Sequence, residues 1–265
     1  MRYLTLIFLL FAAVVASAQK LPNNQEASVW APANIKIDGK ANEWDNQFQA
    51  YNKAMDVSYT IANDNDNLYL AIQATDRNVI NTIAGYGFTF VIQKRKKKDE
   101  KDKITIAYPV YNEKNKIGNI LPTNSQKGVV LDTSAGIAEA YNKLLEHKFK
   151  TIIVTGVAGL DTLSVYNENG IKAVGLFDKY RIYTLEIAMP LKYMGISTNN
   201  NSKFAYHMIV NGYKAPEHYT MALPKDATPE MKEGMQQAVE DLNLRIAKRN
   251  PSTDFWGEYT LAKVP

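Results

Sequence analysis

The sequence predicts a mainly β protein, an antiparallel β-sandwich with two appended α-helices. Three observations carry that reading. Most of the chain after residue 28 breaks into short runs of alternating apolar and polar residues, the period of a half-buried strand, separated by Asn, Asp, Gly and Lys clusters. The pattern lacks the regularly interleaved helices that a βαβ fold requires. The composition is that of an ordinary globular chain, with 265 residues, 46% hydrophobic, 22% charged, 14 Gly and 10 Pro, long enough to bury a core without cross-links.

Taken in order, the chain begins with Arg2 and an apolar stretch from Leu4 to Val15, interrupted only by Thr5, which reaches Ala16-Ser17-Ala18. This is the layout of a secretory signal peptide cleaved after Ala18. A run of roughly twelve residues falls short of the ~20 needed to span a bilayer. The expected mature chain, 19–265, is therefore exported to the periplasm or beyond, with no membrane insertion after the signal is removed. It reads as one domain, because no repeat or composition break divides it. After a polar lead-in from Leu21 to Ser28, strands are predicted over Val57–Ile61, Leu68–Ala74, Phe88–Ile92, Ile104–Val110, Ile152–Val157, Leu163–Tyr166, Ile171–Phe177, Arg181–Ala188, Phe204–Val210 and Tyr259–Ala262.

Two segments switch to helical spacing. Ile137, Tyr141, Leu144 and Leu145 share one face after the candidate caps Thr133 and Ser134. In the second, Thr228 is the expected N-cap and Pro229 the first helical residue. Met231, Met235, Ala238, Val239, Leu242 and Ile246 then form one stripe, which predicts packing against the sandwich. Glu230 and Glu233 early, with Arg245, Lys248 and Arg249 late, agree with the helix dipole, and Asn250-Pro251 ends the pattern.

Four segments also carry a family pattern: Ile37-Asp38-Gly39-Lys40 with Glu43-Trp44; Asn63-Asp64-Asn65-Asp66-Asn67-Leu68-Tyr69-Leu70 with Asp76; Glu186-Ile187-Ala188-Met189-Pro190-Leu191 with Gly195; and Phe255-Trp256-Gly257 with Leu261. As an ordered set, over about residues 35 to 262, they resemble the family-nine-like carbohydrate-binding modules, related to the DOMON domains that bind sugars or haem. The resemblance implies an immunoglobulin-like or jelly-roll-type sandwich, a role in binding poly- or oligosaccharide, and structural calcium as a family feature. The matching residues themselves read as scaffold. Asp38-Gly39 suits a turn, Trp44 a core anchor, and the Asn63–Asn67 run an inter-strand turn.

A sugar site needs flat aromatic faces flanked by hydroxyl-bonding polar groups. Trp44 and Trp256 fall in the scaffold motifs, so among the 16 tyrosines the candidates are Tyr86 beside Gly85 and Gly87, Tyr108 and Tyr111 around Pro109, and Tyr213 after Asn211-Gly212. Tyr86, Tyr108, Tyr111, Asn211 and Tyr213 are thus the expected carbohydrate-binding residues. The alternative for each is an amphipathic Tyr capping the sandwich rim. Asp64 and Asp66, with Asn63, Asn65, Asp38 or Asp76, are the candidate calcium ligands, against the alternative of a solvated turn. A haem site would pair His207 or His218 with Met189 or Met208.

Other functions are disfavoured. With no cysteine, disulfides, thiolate metal sites and cysteine nucleophiles are excluded. A net charge of +4 does not suit a nucleic-acid-coating protein, and Lys94-Arg95-Lys96-Lys97-Lys98 reads as a solvated hairpin tip. There is no Gly-x-Ser-x-Gly elbow, His-Glu-x-x-His pair or phosphate-cradling Gly loop, and Glu139, Glu146, Glu240 and Asp241 read as exposed helix charges. The expectation is a non-catalytic glycan-binding module with no cofactor beyond possible calcium, or else a module that docks on a protein partner of the cell envelope.

Overall fold

Alternation along the strands sorts the side chains into two packed faces. The computed structural model describes residues 20–45, 47–93, 103–110, 135–199, 202–214 and 226–264; the leader and the basic run Lys94–Lys98 lie outside them. Among the described residues the strands are β1 (Ala50–Asn52), β2 (Val57–Asn63), β3 (Asn67–Ala74), β4 (Phe88–Gln93), β5 (Lys103–Ala107), β6 (Thr151–Thr155), β7 (Thr162–Ser164), β8 (Lys172–Phe177), β9 (Tyr183–Pro190), β10 (Lys203–Val210) and β11 (Thr253–Thr260). They form a five-stranded sheet in the order β1-β2-β3-β9-β8 and a six-stranded sheet in the order β11-β10-β4-β5-β6-β7, every pairing antiparallel. The two pack face to face as the predicted mainly β sandwich. Val57, Tyr59 and Ile61 of β2 and Leu68, Leu70 and Ile72 of β3 share one core with Phe90 and Ile92 of β4 and Phe204, Tyr206 and Met208 of β10.

Among the described residues three α-helices accompany the sheets: α1 (Arg77–Tyr86), α2 (Ala135–Lys148) and α3 (Pro229–Arg249). Only the last two were expected. The ten residues of α1 are rich in β-branched and Asn side chains of modest helix propensity, and tertiary burial of Ile80, Ile83 and Ala84 holds them helical. Asp76 caps this helix, its side chain accepting from the N–H groups of Asn78 and Val79. β1 was not anticipated, and β11 starts six residues earlier than the expected strand. Helix α2 packs on β8, as its apolar face predicted. Helix α3 departs from expectation, because none of its residues is buried.

The five-stranded sheet is buried on both faces, so its strands read as nearly continuous apolar runs. On its outer face lie Ala62, Tyr69, Ala71 and Ala188, covered by a strap from the N-terminal segment that contributes Val29, Ala31, Ile35, Ile37, Ala41, Trp44 and Phe48. One acid sits beneath that strap. Glu186 of β9 is 1% exposed. Its Oε2 accepts from the N–H groups of Asp38 at 3.0 Å and Gly39 at 2.9 Å, and its Oε1 from Trp44 Nε1–H at 3.2 Å. Gly39 has φ +78°, and a Cβ there would stand 2.7 Å from the Cβ of Leu176. Only glycine lets this turn press onto β8.

Side chains close both edges of this sheet. Beyond β1, Ile61 N–H donates to Gln25 Oε1 at 2.7 Å and Ile61 O accepts from Gln25 Nε2 at 2.8 Å. Further along, Asn63 N–H donates to Val29 O and Asn63 O accepts from Ala31 N–H. At the β8 edge, Phe177 N–H donates to Asn142 Oδ1 at 2.7 Å and Phe177 O accepts from Asn142 Nδ2 at 2.9 Å. An open edge would invite strand addition.

Burial pushes the Glu186 carboxyl up to about 7, outweighing the Trp44, Asp38 and Gly39 donors that pull it down. The folded form then holds its proton more tightly than the unfolded chain, whose carboxyl titrates near 4.5. Its contribution to stability is fully present below that value and is lost as pH rises through about 7. Glu186→Ala, which leaves an indole and two backbone donors unpaired, is expected to cost about 2–4 kcal/mol at pH 5. Urea titrations of both proteins at pH 5, 6, 7 and 8 check this, and the gap between them should narrow as pH rises.

Candidate functional site

The expected aromatic platform divides. Tyr86 ends α1 and Tyr213 follows β10, and their half-buried rings meet edge to face, centroids 6.0 Å apart at 74°. Asn211 lies with them. Its N–H donates to Gly87 O, and its side-chain amide bonds Thr89 Oγ1, with Nδ2 at 3.0 Å and Oδ1 at 3.2 Å. Tyr213 O–H donates to Asn243 Oδ1 of α3 at 2.6 Å, and Tyr213 N–H donates to Asn250 O. This cluster is a joint that roots the C-terminal end of α3. Tyr108 turns the other way: its ring is 6% exposed, its hydroxyl accepts from Gly175 N–H, and burial pushes it up to about 12. It therefore presents no solvent-facing platform, because the alternation that puts Ile104 and Ile106 in the core carries on to it. Tyr111 lies outside the described residues.

The Asn63–Asn67 run forms a tight turn between β2 and β3. Asp64 Oδ1 accepts from Asp66 and Asn67 N–H, and Oδ2 accepts from Tyr69 O–H. Asn63 is wholly buried; its Oδ1 accepts from Ala262 N–H and its Nδ2 donates to Ala262 O, tying the C-terminal tail to β2. Asp76 is the α1 cap. Among the described residues no three His, Asp or Glu side chains gather as a metal site.

His207 and Met208 are neighbours on β10, so the strand sends them to opposite faces. Met208 and Met189 are in the core, whereas His207 lies on the outer face of the six-stranded sheet. There it stacks on Trp256 at 4.3 Å and 11° and bonds Asp254 Oδ2 through Nε2 at 2.6 Å. Neither methionine can join His207 in one cavity. His218 lies outside the described residues. Trp256 is 48% exposed, contrary to its scaffold reading. The period-two signal was present, since Asp254, Trp256 and Glu258 alternate with inward Phe255 and Tyr259.

A cleft of about 420 Å³ lies between α2 and the β8 edge. Its floor is apolar and aromatic, with Tyr108, Phe149, Val165 and Ala173; Glu139, Lys143, Glu146 and Lys172 contribute charge to its lining. Tyr166 also lines it, 70% exposed. Asn167 orders the turn behind that ring, its Nδ2 donating to Ser164 O and Ile171 O, and Lys150 Nζ lies 5.3 Å from the ring centroid. Glu139 pairs with Lys143 at 2.7 Å, which holds Glu139 below the usual carboxylate range and Lys143 above the usual amine range. Ligand sites typically occupy such volumes, with apolar walls and a few orienting polar groups.

Sequence reasoning missed this cleft because its floor, wall and mouth come from four separate stretches of chain. No family model matches the sequence, and no curated protein matches it significantly. The wall depends on the Asn142 amide that joins α2 to β8. Asn142→Ala is expected to lower stability by about 2 kcal/mol by leaving the Phe177 N–H and C=O unpaired. Hydrogen exchange would show early loss of protection at the Phe177 amide, with β2 and β3 unaffected.

Proposed function

We propose that the protein is an exported, non-catalytic carbohydrate-binding module that takes a short stretch of glycan in the cleft between α2 and β8. One observation carries the reading: the cleft sets the exposed Tyr166 beside an apolar floor and a charged lining. A pyranose has the matching duality. Its C–H face lies on an aromatic ring while its hydroxyls bond charged and amide groups, as Tyr166 with Lys172 and Glu146 would provide. The ordered motifs that resemble family-nine-like modules support the same reading, although most of the residues carrying them, Trp256 apart, serve the scaffold.

Glu139 and Glu146, both at the cleft, do not form a glycosidase pair in this reading. Glu139 is committed to an exposed ion pair with Lys143 at 2.7 Å, which does not suit it to the general-acid role in that chemistry. Export rests on Arg2, the apolar run and Ala16-Ser17-Ala18, and calcium would be structural wherever it bound.

Screening the 19–265 protein on a glycan array, followed by calorimetry, tests the proposal. Tyr166→Ala and Lys172→Ala are expected to weaken binding about tenfold or more, which corresponds to about 1.4 kcal/mol. Tyr86→Ala should leave affinity unchanged. No binding to any glycan, or equal loss in all three variants, overturns the cleft assignment. N-terminal sequencing of the native protein is expected to begin at Gln19.

A further inference from the structure

Trp256 stands on the outer face of the six-stranded sheet, nearly half exposed, and the core beneath β11 is filled without it by Phe255 and Tyr259, which point the other way. What the ring has is a fixed position. His207 and Trp256 face each other across β10 and β11. Leu261 N–H donates to Ser202 O, so by the alternation of an antiparallel ladder His207 and Trp256 form a pair without mutual backbone bonds, the kind whose side chains stand closest. The imidazole accordingly lies flat on one face of the indole, 4.3 Å away at 11°, and Asp254 Oδ2 holds its Nε2 at 2.6 Å. One indole face is covered, and the opposite face and the ring edge supply the exposed surface.

The same alternation decides what surrounds the ring. Asp254 and Glu258, two residues before and after it, share its side of the sheet. Asp254 is half-exposed, with Oδ2 on His207 and Oδ1 bonded to no described residue. Glu258 is half-exposed beside Lys203, at 2.5 Å. The N–H and C=O of Trp256 point away from β10, toward the side of β11 that no strand among the described residues pairs. No other large apolar side chain among the described residues of this sheet face is exposed. A protein-docking surface is built differently, from a broad apolar core depleted of charge. A single braced ring between two carboxylates suits a small ligand with one C–H face and a rim of hydroxyls. Because His207 and Asp254 already hold the ring, little side-chain freedom is left to lose on binding.

We propose that Trp256 is a second carbohydrate-contact point, separate from the cleft, which stacks one neutral pyranose on its uncovered indole face and accepts hydroxyl hydrogen bonds at Asp254 and Glu258. The two acids disfavour uronic acids and sulfated sugars, since like charges repel. The cleft's Tyr166 follows β7, at the opposite edge of the same sheet from β11, so either point can be lost without the other.

The chain has three tryptophans, and the nitrogen–proton correlation spectrum of the 19–265 protein therefore carries three indole signals, of which Trp256→Phe assigns one. Titration with cellohexaose, xylohexaose, mannohexaose, laminarihexaose and maltohexaose is expected to move the Trp256 signal with at least one of them, while that of Trp44, buried under the strap, stays in place. The shift should persist in Tyr166→Ala. In that background Trp256→Ala is expected to weaken the remaining binding about tenfold or more, with far-UV circular dichroism checking that the sheet is intact; the indole shift in the unaltered protein does not depend on that variant. If Tyr166-dependent binding occurs and no hexasaccharide moves the Trp256 signal, this second point is overturned and the cleft stands. If the Trp256 signal moves and Tyr166→Ala binds as tightly as the unaltered protein, the second point stands and the cleft falls. Loss of the Trp256 shift in Tyr166→Ala marks an indirect effect and overturns the proposal. So does a Trp256 signal that moves with protein concentration in the absence of sugar, which marks strand addition at the β11 edge. No binding of any hexasaccharide overturns both.

Discussion

A carboxyl group stands buried on the strap-covered face of the five-stranded sheet, and much of this structure depends on how Glu186 is satisfied. Burying such a group without donors costs more than most single packing contacts return. Here the donors are two backbone N–H groups in the Asp38-Gly39 turn and the Trp44 indole, all carried by the strap. The strap is thereby fixed in position, and it covers Ala62, Tyr69, Ala71 and Ala188 on the outer face of β2, β3 and β9. The effect reaches the cleft. Ile37, the residue before the Asp38 turn, lines it, and Gly39 presses on Leu176 of β8, whose outward backbone groups are those that Asn142 and Tyr108 bind. One buried acid thus positions a cleft wall on the far side of its own strand pair.

The same economy governs the sheet edges. A strand edge must be paired, covered or made repellent, and this chain pairs its five-stranded sheet largely with side chains. Gln25 stands in for a strand opposite Ile61, and Asn142 does so opposite Phe177. Asn63 joins the N-terminal segment, β2 and the C-terminal tail through its backbone and amide together. These buried polar groups hold elements distant in sequence, and their partners consume their bonding capacity.

What the sequence disclosed follows from the range of each interaction. Strand alternation and helix caps act over a few residues, so most of the sandwich strands, Thr228 as a cap and the apolar face of α2 could be read directly. Helix α1 could not, because burial of Ile80 and Ile83 overrides indifferent local propensity. The candidate platform failed at Tyr108 for a similar reason: a tyrosine beside Pro at a strand end is ambiguous until the core on one side of it is known. The Asn63–Asp66 run looked like a ligand set, and the Asp64 oxygens are spent on local N–H groups and Tyr69. The cleft was invisible to local reading, since Tyr108, Asn142, Tyr166 and Ala173 meet only through sheet pairing and the docking of α2.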